Sequence, residues 1–375
     1  MSIPSAETIG QLKHRRRFFL KALDRTVPVW VGASVFLVLL MVLPLGWLFV
    51  ASLKSERGIT LQTYTQVFTE WAFLKAIWNT IIVSFWVGVI AVLTGSVLGW
   101  LVTRTDLPWK KTIRALIMAS FVTPPFLGAF AWTLLAGPNA GLLNKFYRSL
   151  TGDDNHLFNI FTIEGLIFVM ALYSFPYVFS MIANVCEMVS SDLEDAANIL
   201  GAGRLKVALT VTLPLAAPAL LGGFILAFLH SLSLFGAPAI LGLPAGIHTI
   251  TTQIWALFQY PPRLDLAAAF SVPLLLATVC LIALQKKILG RRGYSTVGGK
   301  GGQRRLLPLK RLRIPVLIFV FGILALSVFL PYWILLKSAL SKAWALPLTW
   351  ENFTLENFSF AFFQYGDTQK AIFNT

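Results

Sequence analysis

Side chains that could do chemistry are sparse in this chain. Its four His and two Cys never fall at metal-ligand spacing, and Cys186 and Cys280 suggest no disulfide. Asp153, Asp154 and His156 stand close enough to suggest a metal, although a solvated loop is the plainer reading. His230 lies inside a long apolar run, where an ionisable side chain is a functional candidate by default. Ser231 and Ser233 stand beside it, so a hydrogen-bonded packing role is equally open. Gly298-Gly299-Lys300 does not extend to the G-x-x-x-x-G-K-[ST] pattern, so nothing there cradles nucleotide in the P-loop manner. No nucleophile–base pair is legible, which counts against a membrane enzyme.

The densest polar stretch runs from Ser190 to Pro214 between two apolar runs. Ser191 with Glu194 three residues on forms a capping box, predicting a helix from Asp192. Leu193, Ala196, Ala197 and Leu200 recur at i, i+3, i+4 and i+7 as one apolar stripe. Gly201 follows in the position of a left-handed cap, and Gly203 adds a second flexible point. Arg204 to Thr212 can form another short helix, and Leu213-Pro214 opens the next apolar run. The stripe must bury against the membrane bundle or a partner; an ordinary amphipathic loop is the bland alternative.

This stretch resembles the "EAA" loop of inner-membrane permeases of binding-protein-dependent ABC importers. The carriers are Asp195-Ala196-Ala197, three residues, Gly201, nine residues, and Val211-x-Leu213-Pro214. The family usually has Glu at the position of Asp195, beside Glu194, and Ile at that of Val211. The resemblance implies a type I transmembrane-domain bundle and a coupling helix around Gly201–Lys206 that docks on ATPase subunits. It makes Glu194, Asp195, Ala196, Ala197, Gly201, Gly203, Arg204, Leu213 and Pro214 the expected ATPase-coupling residues, with no catalytic, cofactor or metal residues. Two further phrases are similar to the ferric-iron branch of the family. One is Ala131-Trp132, Leu134-Leu135, Gly137-Pro138, Gly141-Leu142 and Asn144; the other runs from Phe235-Gly236-Ala237-Pro238 through Thr249–Trp255 to Tyr260-Pro261-Pro262 and Leu266–Ala269.

The elements that must carry these residues are membrane spans. Hydrophobic residues make up 57% and charged ones 13% of the chain. Seven apolar runs reach the ~20 residues that cross a bilayer core: about 28–52, 77–103, 113–136, 164–185, 215–241, 268–289 and 314–338. The net charge of +15 does not indicate nucleic acid, because 22 of the 31 Lys and Arg fall in 1–27, 104–114, 186–214 and 286–313. That bias places those pieces, the N-terminus and the 190–214 loop in the cytoplasm of a bacterial inner-membrane protein. The first span is too long for a signal-peptide core and is read as a retained anchor. Basic residues 1–27 suit a surface helix or disordered segment on anionic lipid.

Within the spans, Gly95-x-x-x-Gly99 predicts close helix packing. Thr123-Pro124-Pro125 must break or bend the third span, either around a water-filled path or as a plain bend in a bundle. The expected architecture is all-α and polytopic: a permease domain over 28–289, a basic Gly-rich linker over 290–313, and the start of a second, incomplete repeat over 314–375. Leu330-Pro331 repeats Leu43-Pro44, and Ala339–Lys342 corresponds to Ser52–Ser55. Lys370-Ala371-Ile372-Phe373-Asn374-Thr375 repeats Lys75-Ala76-Ile77-Trp78-Asn79-Thr80, after a loop eight residues longer. In the resembling branch two halves are commonly fused, so a truncated sequence is expected, with a seven-span protein as the alternative.

The functional expectation is a permease subunit of an ATP-driven importer, with ATP hydrolysis on a separate chain. Its partners would be two ATPase subunits, a periplasmic binding protein, a second permease half or subunit, and membrane lipid. Ferric iron is the first substrate, with polyamine, phosphonate or another small solute as alternatives. The spans show no cluster of Asp, Glu, Tyr or His to hold iron tightly, so recognition would rest with the binding protein. A secondary transporter or channel without an ATPase is the second alternative, but it calls for ionisable residues deep in the spans.

Overall fold

A computed structural model describes residues 26–55, 58–188, 199–201, 203–207, 210, 213–290 and 306–375. Apolar runs of this length can satisfy their backbone in lipid only as helices, and the spans are α1 (Val27–Leu53), α3 (Trp71–Arg104), α7 (Ile163–Met188), α9 (Leu213–Ser233), α11 (Leu264–Gly290) and α12 (Lys310–Ala339). Among the described residues six single helices are long and apolar enough to cross a membrane. Between them lie α2 (Gln62–Thr69), α4 (Lys110–Val122), α5 (Pro125–Ala136), α6 (Leu142–Thr151), α8 (Arg204–Val207) and α10 (Ile250–Leu257), then α13 (Glu356–Ser359) and α14 (Gly366–Asn374) after the last span. Strands β1 (Lys54–Ser55) and β2 (Gly58–Ile59) form a small antiparallel hairpin.

The third expected span is not one helix. α4 and α5 meet at Thr123-Pro124 with a bend of 96°. Pro124 and Pro125 lack N–H donors and cannot continue the α4 ladder. Thr123 closes α4 through its N–H to the Ala119 carbonyl (3.1 Å) and its hydroxyl to the same carbonyl (2.7 Å). The fifth expected span, 215–241, also ends early, at Ser233. Gly236 makes the break possible: a Cβ there would lie 2.6 Å from the Phe126 Cβ. A π turn over Pro238–Gly242 and a 3-10 turn over Leu243–Ala245 follow.

α7 is the centre of the bundle. Gly95 and Gly99 of α3 let that helix approach it: a Cβ on Gly95 would stand 2.7 Å from the Phe175 carbonyl, and one on Gly99 would stand 3.0 Å from Ile182. These pairings run in the same direction along both helices, so α3 and α7 are parallel. α9 opposes them: Gly88 faces Phe224, Gly223 faces Val178, and the segment after α9 reaches the start of α3. The bent α4–α5 pair and the loop after it therefore return the chain across the bundle, as one crossing would. The described ends at 104–110, 187–188, 213 and 306–310 share one face, joined by the Arg114–Glu187 ion pair and the Thr105–Leu307 bridge. Those at 54–70, 137–162, 234–263 and 340–375 lie opposite.

On that opposite face, local polar bonds replace membrane packing. Asn144 is fully buried and uses its whole amide: Nδ2 donates to the Gly137 and Phe158 carbonyls (2.9 and 2.8 Å), and Oδ1 accepts from the Leu157 and Phe158 N–H (2.9 and 2.8 Å). It thereby shapes the 137–158 loop. Thr249 and Thr252 cap α10 reciprocally. Asn79 and Thr80 of α3 hold that cap, through Nδ2 to the His248 carbonyl (2.9 Å) and Oγ1 from the Ile250 N–H (2.8 Å).

The turn after α1 recurs after α12. The Thr60 N–H donates to the Leu53 carbonyl and the Thr354 N–H to the Leu340 carbonyl, each at 2.9 Å. The Thr63 hydroxyl donates to the Ser52 carbonyl (2.8 Å) and the Asn357 amide to the Ala339 carbonyl (3.1 Å). The N–H groups of Gln62 and Glu356 donate to the hydroxyls of Thr60 and Thr354, both at 3.1 Å. These bonds put Ser52-Leu53 and Ala339-Leu340 in register.

Candidate functional site

The described edges of the polar loop have the expected backbone. Gly201 has φ +81, the left-handed conformation that glycine adopts without strain, and a Cβ there would meet nothing within 4 Å. Gly203 is exposed, Arg204 opens the short helix α8, and Leu213-Pro214 opens α9. Glu194, Asp195, Ala196 and Ala197, with the Ser191 capping box, lie outside the described residues. Ile199 and Leu200 are 86% and 87% exposed, while Val207 is buried. Ile199 and Leu200 are thus two large apolar side chains exposed within an otherwise polar loop. At the loop's root Arg114 of α4 pairs with Glu187 of α7.

A second feature follows from which side of α7 is covered. Its buried residues are almost all apolar, whereas its uncovered side mixes polar residues with Met181, Val185 and Met188. Tyr177, Ser180, Asn184 and Glu187 fall at steps of three and four, on one side of the helix. All four are partly or fully uncovered. Tyr173, one turn earlier, is 2% exposed, and its hydroxyl has no partner among the described residues. Gly128 of α5 makes room for it, since a Cβ there would overlap the Tyr173 ring.

The stripe meets polar groups from other elements beside the α4–α5 break. The Tyr177 hydroxyl lies 3.4 Å from His230 Nδ1, with ring centroids 5.0 Å apart. Phe121 packs its edge on Tyr177, and the Tyr332 hydroxyl reaches Thr123 Oγ1 at 2.7 Å. Ser120 Oγ donates to the Leu172 carbonyl, fixing α4 on α7. His230 is thus partnered by Tyr177, not by its neighbouring serines: Ser233 Oγ bonds the Leu229 and His230 carbonyls, and Ser231 Oγ is buried without a partner among the described residues. The spans bring one tyrosine, Tyr177, onto His230. The spacing of Tyr173, Tyr177, Ser180, Asn184 and Glu187 was the signal available.

α1 is the useful contrast. Apart from Ser52 no residue of α1 is buried, and its surface is Val, Leu, Phe, Trp and Met with hardly a polar group. That is a surface for acyl chains. A stripe of Tyr, Ser, Asn and Glu would lose hydrogen bonds in the same surroundings. It fits water or another protein.

No metal site competes for this description: among the described residues no three His, Cys, Asp or Glu side chains gather as ligands. In the 152–156 loop, Asp153 Oδ1 accepts from the Asn155 N–H in a local turn.

Comparison with known proteins agrees with this bundle. The chain is 23% identical over 340 residues to the ferric transport system permease protein FbpB of Actinobacillus pleuropneumoniae, covering 89% of this chain and 48% of that protein. It is 30% identical over 190 residues to the molybdenum transport system permease protein ModB of Escherichia coli, covering 49% of this chain and 81% of that protein. The chain spans about half the length of the ferric relatives it matches, 48% and 43%. A bacterial ABC transporter involved in import of the acidic polysaccharide alginate shares the fold, with TM-score 0.59 at 15% identity over 73% of this chain and 99% of that one. Residues 91–292, from mid-α3 past α11, match one family over more than half the chain, and the protein belongs to it: the inner membrane components of binding-protein-dependent transport systems.

Proposed function

We propose that this chain is a permease of an ATP-driven importer that moves a small solute across the inner membrane. The uncovered polar stripe of α7 carries the reading. Tyr177, Ser180, Asn184 and Glu187 form one wall of a hydrated path, which starts beside His230 and the α4–α5 break and ends at Arg114 near the polar loop. Tyr, Ser, Asn and His can donate and accept hydrogen bonds without a fixed charge. Such a wall eases passage of a hydrated ion without holding it, as conduction requires. A second permease half or subunit supplies the facing wall.

The loop from Glu194 to Pro214 couples this bundle to ATPase subunits on separate chains. The exposed Ile199 and Leu200, and the left-handed turn at Gly201, support a docking role. The charge bias of the sequence puts this face, and the N-terminus, in the cytoplasm. Ferric iron is the favoured substrate, because the ferric relatives align along most of the chain. Relatives named for molybdenum, sulfate and 2-aminoethylphosphonate keep other small oxygen-rich ions as the second reading.

The test is uptake in proteoliposomes containing the permease with its ATPase and binding protein. Asn184→Leu should lower the initial rate about tenfold, as expected for a lost path hydrogen bond of ~1.4 kcal/mol, while binding-protein-stimulated ATP hydrolysis persists. Gly201→Val should act on coupling instead: the protein inserts, but the binding protein no longer stimulates ATP hydrolysis, and uptake is lost with it. Wild-type rates in Asn184→Leu would remove the path. Full coupling in Gly201→Val would remove the loop's role. Uptake of radiolabelled molybdate or sulfate in preference to ferric iron would move the substrate assignment.

A further inference from the structure

On the face opposite the polar loop, α6 and the end of α12 enclose a groove of about 620 Å³ with the 345–348 segment. Leu142, Leu143, Phe146, Trp333 and Leu348 make its walls apolar. Two lysines contribute to this lining, Lys145 from α6 and Lys337 from α12. Lys337 is 6% exposed. Each donates to a carbonyl of the neighbouring segment, Lys145 Nζ to Ala345 and Lys337 Nζ to Trp344, both at 2.8 Å. Neither forms an ion pair: the pairs among the described residues are Arg114–Glu187, Arg263–Asp265 and Lys370–Asp367. One carbonyl bond uses one of an ammonium's three donors, so both lysines keep donors for a further acceptor.

Two cations over an apolar groove ask for one ligand with an anionic head and an apolar body. The position fits the membrane interface. Lys337 sits in the last turn of its span, and Tyr332 and Trp333, about half exposed, lie just within it, as an interfacial aromatic belt does. We infer that this groove binds one anionic phospholipid, its phosphodiester at Lys145 and Lys337 and an acyl chain along Leu142, Phe146 and Trp333. The site is independent of the solute path and of the polar loop, which lie on α7 and on the other face. Lipid held here fastens α6 to α12, and with them the segment that both lysines already grip.

The full chain in detergent, titrated with phosphatidylglycerol or phosphatidylcholine and read by native mass spectrometry, tests this. The wild type should keep one phosphatidylglycerol at concentrations where phosphatidylcholine is lost. Lys145→Gln should weaken that retention about fivefold, the share of one surface lysine at an anionic membrane. Lys145→Arg, which keeps the charge at the same position, should retain it, so a folding defect in Lys145→Gln cannot imitate the result. Equal retention of both lipids would overturn the inference, as would unchanged retention in Lys145→Gln. Displacement of the lipid by inorganic phosphate at matched concentration would also overturn it, leaving a site for a free anion.

Discussion

The turns after α1 and α12 have the same hydrogen bonds and different surroundings. In both, a Thr N–H closes onto a Leu carbonyl, and a polar side chain three residues on returns to the end of the span. The hexapeptides downstream nearly match as well. Yet Ala76, Asn79 and Thr80 are buried against α10, whereas Ala371, Asn374 and Thr375 are exposed. The turn is a local product: a span end, a Thr and a short polar side chain suffice. Docking of the next helix is a tertiary product, requiring the Thr249 cap to present the His248 carbonyl and the Ile250 N–H. The turns differ once more. Ser52 Oγ and the Tyr64 hydroxyl share a 2.7 Å bond, and the second turn has Ala339 and Phe358 at those places. Both partners are gone together, so no polar group is left orphaned.

The comparison can be broken most forcefully at the docked pair. Asn79→Ala should lower stability in detergent by about 1–3 kcal/mol, because a buried carbonyl loses its donor. Asn374→Ala should stay within about 0.5 kcal/mol, as exposed positions do. Equal losses in thermal or steric-trapping measurements would mean that the second hexapeptide is docked too. The turns themselves should respond alike: Thr63→Ala and Asn357→Ala each remove one bond to a span-end carbonyl, at a cost of ~1 kcal/mol. A difference of more than about twofold would show that the turn depends on its surroundings. The smallest effect belongs to the hydroxyl pair. Ser52→Ala with Tyr64→Phe should come within about 0.5 kcal/mol of the wild type, while Tyr64→Phe alone costs more. A double variant worse than the sum of its parts would contradict the reading of Ala339 and Phe358 as a paired replacement.

The same division runs through the rest of the molecule. Thr123-Pro124-Pro125 announced a break in the third span, because two prolines remove two donors wherever they stand. It did not announce that α5 turns by 96° or that Gly128 makes room for Tyr173. The fifth span was drawn to residue 241 because Phe235–Leu241 is as apolar as what precedes it. The helix ends at Ser233, where Phe126 crowds Gly236. For His230 the sequence offers Ser231 and Ser233 as possible partners, by proximity alone. Ser231, one residue on, faces elsewhere, Ser233 spends its hydroxyl on backbone carbonyls, and the partner is Tyr177 on another span.

By itself the sequence determined what depends on composition and short spacing: the apolar lengths that must be helices in lipid, the asymmetry of positive charge, the glycines that admit a close neighbour, and the left-handed turn at Gly201. These follow from backbone satisfaction and local sterics, which need no knowledge of the fold. Only the tertiary structure decided which side of a helix is covered. The period of Tyr177, Ser180, Asn184 and Glu187 can be read in the chain. Its meaning depends on α3 and α9 covering the rest of α7 and leaving that stripe open, and on α1 showing what a lipid-facing surface of this protein looks like. Burial is a relation between elements distant in sequence, so no local pattern can state it.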